Sequence, residues 1–127
     1  MVKPQVLCID DDPRIVDSLN RLLELNGFLV ISSSIESASV ELIALSEPDV
    51  ILLDISMPTV NGLDILKELQ NGYSDIPVVI VSGRDDPATK AEAKRLGAAD
   101  FVAKPFDPQD LLFRIRTIHK GLHHEKE

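Results

Sequence analysis

Four places in the chain put a polar group directly after a short apolar run. Asp10-Asp11-Asp12 follows Val-Leu-Cys-Ile, Asp54 follows Val-Ile-Leu-Leu, Ser82 follows Val-Val-Ile-Val, and Lys104 follows Phe-Val-Ala. The separations are 43 residues from Asp11 to Asp54, 28 from Asp54 to Ser82 and 22 from Ser82 to Lys104. Gathered together, these groups could handle phosphate. Crowded carboxylates repel, so either a pKa rises or a cation binds. Hard oxygen ligands with one open side suit Mg²⁺, which keeps waters that a phosphate can replace. A lysine opposite supplies a charge and donors for phosphate oxygens, and a serine hydroxyl supplies another donor. Asp54 is a candidate nucleophile that would form an acyl phosphate. Positioning and charge neutralisation supply most of the catalysis of such a transfer. Each residue also has a plainer role: Asp12 as a helix cap, Ser82-Gly83 as a turn, Lys104-Pro105 as a solvated corner. A charge directly after four apolar residues, as at Asp54, needs a stronger reason. The joint order, each group at a strand end, favours chemistry.

The elements that must position these groups alternate. Apolar runs at 6–9, 28–31, 50–53, 78–81 and 101–103 read as buried strands. Each is followed by a helical period. Ile15, Leu19, Leu22 and Leu23 form the first stripe, opened by Asp12-Pro13 and stopped by Gly27. Ser34 can cap a second helix over 35–45. Asn61 or Gly62 opens a third that runs to about Gln70. Asp86-Pro87 opens a fourth that Gly97 ends. Asp107-Pro108 opens a fifth, with Leu111, Ile115 and Ile118 as its stripe. Continuously apolar strands predict a sheet covered on both faces. Right-handed crossovers then give an α/β fold, a doubly wound five-stranded parallel sheet between two helical layers. Such sheets gather their chemistry beyond the carboxyl ends of the strands. All four groups stand there.

Composition narrows the remaining choices. A length of 127 residues favours one domain. The formal charge of −8 argues against direct nucleic-acid binding and against anionic membrane surfaces. No apolar run is long enough to span a bilayer, and the N-terminus lacks the apolar stretch of a secretory signal. The single cysteine, Cys8, excludes an internal disulfide and a cysteine zinc cluster. The expected setting is the cytoplasm. The expected domain spans residues 1–120, with 121–127 a polar tail or the start of a linker.

The segments Val-Leu-Cys-Ile-Asp-Asp-Asp, Asp-Val-Ile-Leu-Leu-Asp-Ile-Ser-Met-Pro-Thr-Val-Asn-Gly, Val-Ser-Gly and Lys-Pro-Phe together resemble the receiver domain of two-component response regulators. The likeness covers about residues 3–120. It implies a flavodoxin-like strand order 2-1-3-4-5. It also implies roles. Asp10 and Asp11 match the acidic pair that holds Mg²⁺, Asp54 the phosphoacceptor, and Ser56 the position whose backbone carbonyl completes the metal site. Ser82 matches the hydroxyl switch, Lys104 the lysine that contacts the phosphoryl group, and Phe101 the aromatic switch. Lys104-Pro105 matches the family's cis peptide. Met57-Pro58 and Gly62 match the loop after the acceptor. Ser56 and Arg84 occupy positions that tune hydrolysis. By the same resemblance, a sensor histidine kinase or phosphotransfer protein donates the phosphoryl group, and slow self-hydrolysis resets the domain. Signalling would pass through the face of the fourth helix, fifth strand and fifth helix to an output domain or partner.

Phe113 breaks the stripe of the fifth helix, lying about 200° around from Leu111 and Ile115, and predicts a contact surface, including a homodimer, on that face. Three rivals are weighed. A haloacid-dehalogenase-like phosphatase needs a second Asp where Ser56 stands. A flavodoxin-like cofactor binder needs a phosphate cradle where Asp10, Asp11 and Asp12 would repel one. A pseudo-receiver, an interaction module independent of phosphorylation, keeps no need of the acceptor site that this chain has in full.

Overall fold

Strands apolar on both sides are stable only between two helical layers, and the chain uses them that way. The computed structural model describes residues 3–33, 46–56, 61–73 and 75–126. Five strands, β1 (Gln5–Ile9), β2 (Leu29–Ser33), β3 (Val50–Leu53), β4 (Val78–Ser82) and β5 (Asp100–Ala103), form one parallel sheet. Its order is β2-β1-β3-β4-β5, as expected. The described helices are α1 (Pro13–Leu25), α2 (Gly62–Gly72), α3 (Pro87–Arg95) and α4 (Pro108–Lys126). These are the first, third, fourth and fifth of the sequence. The second, with its Ser34 cap, lies outside the described residues, as does Met57-Pro58. None of these helices is long and apolar enough to cross a membrane.

Successive strand residues point to opposite layers. Val6, Cys8, Val50, Leu52, Val79, Val81 and Val102 pack with Leu19 and Leu23 of α1 and Leu111, Leu112 and Ile115 of α4. Leu7, Ile9, Ile51, Leu53 and Ile80 pack with Leu66 and Leu69 of α2 and Ala93 of α3. Burial pushes the Cys8 thiol up to about 12, with the nearby Asp10 charge adding to the effect.

The caps sit where the sequence signals them. Asp12 accepts from the Arg14 amide, Asn61 from the Leu63 amide and Asp86 from the Thr89 amide. Gly27 and Gly97 take positive φ at the ends of α1 and α3. One boundary moves. Phe28 was expected in the second strand, but its amide donates to the Leu23 carbonyl at 3.0 Å and closes α1. Its ring is buried beside α1, and pairing begins at Leu29.

Candidate functional site

The rim beyond the carboxyl ends of the strands receives a side chain from each of β1, β3, β4 and β5. Asp10 follows β1 and is buried; Asp54 follows β3 and is buried. The Asp54 amide donates to the Ile9 carbonyl at 3.0 Å, which carries the β1–β3 pairing one step further. The two carboxylates are thereby held side by side. Asp11, the next residue, is exposed. Carboxylate oxygens of Asp10, Asp11 and Asp54 lie within 4.8 Å of one another.

Lys104 extends from the end of β5 and bridges the two buried carboxylates. Its Nζ donates to Asp10 Oδ2 at 2.8 Å and to Asp54 Oδ2 at 3.1 Å. The peptide between Lys104 and Pro105 is cis. The Lys104 amide donates to the Ser82 carbonyl at 2.9 Å, so β4 fixes where the lysine starts. Burial opposes the ammonium charge, but the hydrogen bonds and attraction of Asp10 and then Asp54 outweigh it and raise the Lys104 pKa. Asp10 shifts upward as well. Burial is the main cause, the Asp54 charge adds to it, and hydrogen bonds from Lys104 and from the Asp12 amide (3.0 Å, to Oδ1) oppose it. A cluster of three carboxylates and one ammonium carries a formal −2, and Asp10 bears part of that strain as reluctance to ionise.

Ser56 closes the other side of Asp54. Its amide and its hydroxyl both donate to Asp54 Oδ1, at 2.8 and 2.7 Å. Gly62 explains how the chain returns so closely. A Cβ there would stand 2.3 Å from the Ile55 Cα and 2.8 Å from the Asp54 carbonyl oxygen. The first turn of α2 therefore rests on the backbone that carries Asp54, and nothing larger than glycine fits.

The remaining residues flank this cluster. Ser82 is fully buried, and its Oγ accepts from the Arg84 amide at 3.1 Å. The Arg84 side chain is exposed. Phe101 is half-buried on β5, with Lys90 Nζ of α3 5.8 Å from its ring centroid. Among the described residues, no bond joins the side chains of Ser82, Arg84 or Phe101 to Asp54. Phe113 stands outward from α4, 69% exposed. Two contacts escaped the sequence analysis: the Ser56 hydroxyl on Asp54 and Lys90 over Phe101. A serine two residues after an aspartate is a common turn pair, which is the signal that could have found the first. No local spacing encodes the second.

Comparison with known proteins agrees with this arrangement. The response regulator receiver domain family matches residues 6–116. The chain is 38% identical over 112 residues to the transcriptional regulatory protein KdpE of Mycobacterium tuberculosis, covering 88% of this chain and 49% of that one. It is 32% identical over 114 residues to the response regulator MprA of Mycobacterium leprae, covering 90% and 50%. The chain thus spans about half the length of these curated relatives. Among solved structures, the receiver domain of the Francisella response regulator 1452 superposes with a TM-score of 0.85 at 32% identity, over 92% of this chain and 97% of that one. Family match, sequence identity and fold similarity coincide, and the chain belongs to the family of response regulator receiver domains.

Proposed function

We propose that the chain accepts a phosphoryl group on Asp54 and relays that event through a change of its surface. The observation that supports this most is the buried Asp54 carboxylate, bonded to Lys104 and within 4.8 Å of oxygens on Asp10 and Asp11. The donor set fits Mg²⁺. Hard carboxylate oxygens gathered within 4.8 Å of one another are the ligand type that this ion prefers. Asp10, Asp11, Asp54 and the Ser56 backbone carbonyl would hold the ion. When bound, it supplies positive charge against the phosphoryl oxygens.

The chain's own groups do the rest. The Asp54 carboxylate attacks phosphorus as the P–N bond to a kinase phosphohistidine breaks, the electron pair leaving with the imidazole. Lys104 moves from its carboxylate partners to an oxygen of the incoming group. The Ser82 hydroxyl, now held by the Arg84 amide, turns to another. Phe101 follows on β5, and the change emerges on the face of α3, β5 and α4, where Phe113 stands ready for an output domain or a second copy. Arg84, at the rim, shields the acyl phosphate and slows the self-hydrolysis that resets the switch. The donor is a sensor histidine kinase or phosphotransfer protein, and the setting is the cytoplasm. Residues 1–120 form the receiver unit and 121–127 a tail or linker start.

Incubation with a small phosphodonor and Mg²⁺ tests this. Mass spectrometry is expected to find one added phosphoryl group on the wild type and none on Asp54→Ala. No gain on the wild type, or equal gain on both, overturns the acceptor assignment and leaves an interaction module independent of phosphorylation.

A further inference from the structure

Asp54 Oδ1 has no lone pair to spare. A carboxylate oxygen offers two lone-pair directions, and the Ser56 amide and hydroxyl both donate to Oδ1, at 2.8 and 2.7 Å. The second oxygen, Oδ2, accepts one hydrogen bond, from Lys104, which also donates to Asp10 Oδ2 at 2.8 Å; the lone pair left on it lies beside an ammonium that repels a cation. A cation that takes Oδ1, the oxygen away from the ammonium, must therefore displace a donor. The three donors differ in what displacement costs. The Ser56 amide is fixed by the chain path out of β3. The Lys104 ammonium is held by two carboxylates at once. The Ser56 hydroxyl belongs to an exposed residue, turns about a single bond, and finds water when released.

We propose that the Ser56 hydroxyl competes with the divalent cation for Asp54 Oδ1, and so sets the affinity of the pocket for that cation. This rests on the metal reading above. In the cation-free protein the hydroxyl closes the one oxygen that faces away from Lys104. Binding trades that bond for a bond to water. Ser56 is thus a positioning residue that acts through Asp54, distinct from its backbone carbonyl as a ligand.

Calorimetric titration with Mg²⁺ of the unphosphorylated protein tests the competition. Ser56→Ala keeps the amide and removes the hydroxyl, and its Kd is expected to fall by about three- to tenfold, the worth of one hydrogen bond to a charged acceptor less its replacement by water. Ser56→Thr keeps a hydroxyl and is expected to stay within about twofold of the wild type. A general disturbance of the loop would move both variants and is ruled out by that contrast. Unchanged or weaker binding by Ser56→Ala, with the wild type binding normally, overturns the competition and leaves the metal site standing. No binding to any of the three proteins overturns both.

Discussion

The two helices that flank β5 are secured in different ways. α4 sends Leu111, Leu112 and Ile115 into the core, all 1% exposed or less. Arg114 also ties it to the sheet, donating through Nη1 to Asp100 of β5 at 2.7 Å, while its Nε donates within the helix to Asp110 at 3.0 Å. α3 buries Thr89 and Ala93. Neither is a large apolar anchor. What holds α3 is its ends: Asp86 caps the start, and the Gly97 and Ala98 amides donate to the Lys94 and Ala93 carbonyls at the finish. A buried leucine contributes about 1.5–3 kcal/mol of transfer free energy and a methyl less than 1. The side of β5 that faces α3 is therefore the cheaper one to move. Phe101, under Lys90 of α3, lies on that side, and Lys104 follows three residues later, just past the end of the strand. The two helices thus give β5 one firm wall and one yielding wall.

The largest effect is expected on the firm wall. Leu111→Ala removes a fully buried side chain and is expected to cost about 2–5 kcal/mol, read as a lower urea midpoint. Cys8 shares its core cluster. A thiol pushed up to about 12 and closed in apolar surroundings does not react while the core is shut. Alkylation of Cys8 at pH 8 is thus a gauge of opening on the α4 side. It is expected to speed up more than about tenfold in Leu111→Ala. Alkylation at the wild-type rate would mean that α4 does not hold this side closed.

A smaller effect is expected on the yielding wall. Ala93→Gly loses one buried methyl and adds backbone freedom within α3, at a cost of about 1–2 kcal/mol. Hydrogen exchange is expected to place most of that loss in α3, with Cys8 alkylation close to wild type. A loss spread evenly over both helices would dissolve the contrast.

How much of this was legible in the sequence follows from the range of each interaction. Helix starts are local. Asp12-Pro13, Asn61-Gly62 and Asp86-Pro87 carry cap and first turn within three residues, and each starts a helix as expected. The rim was legible through topology: four polar residues at strand ends need only a parallel sheet to meet. Phe28 was misjudged because its side chain reads as strand while its amide closes α1. The demand for glycine at position 62 was hidden, since it arises from the Ile55 backbone across a loop. The Asp54–Ser56 spacing did carry a local signal for the serine contact, whereas the Lys90–Phe101 contact depends on a side-chain orientation that apolar periodicity does not constrain.

Acid separates the two walls most finely, because α3 depends on a carboxylate cap and α4 on buried apolar anchors. Asp86 accepts from the Thr89 hydroxyl at 2.7 Å and from its amide at 3.1 Å, and these bonds, hydroxyl first, hold its pKa below the usual 3.8. Asp107 accepts from the Gln109 amide at 2.9 Å at the start of α4. A lowered folded pKa means that the stabilisation is present above 3.8 and is lost as pH falls through the folded value. Protonation therefore weakens the cap of α3, and little else in that helix compensates. In α4, Leu111, Leu112 and Ile115 hold the helix through apolar contacts that acid does not alter. Between pH 6 and pH 3, with intrinsic exchange rates corrected, amide protection is expected to fall in α3 while residues 111–115 of α4 keep theirs. Asp86→Asn, an acceptor that does not titrate, is expected to flatten the α3 response. Parallel loss in both helices would show that caps, and not buried anchors, decide which wall yields.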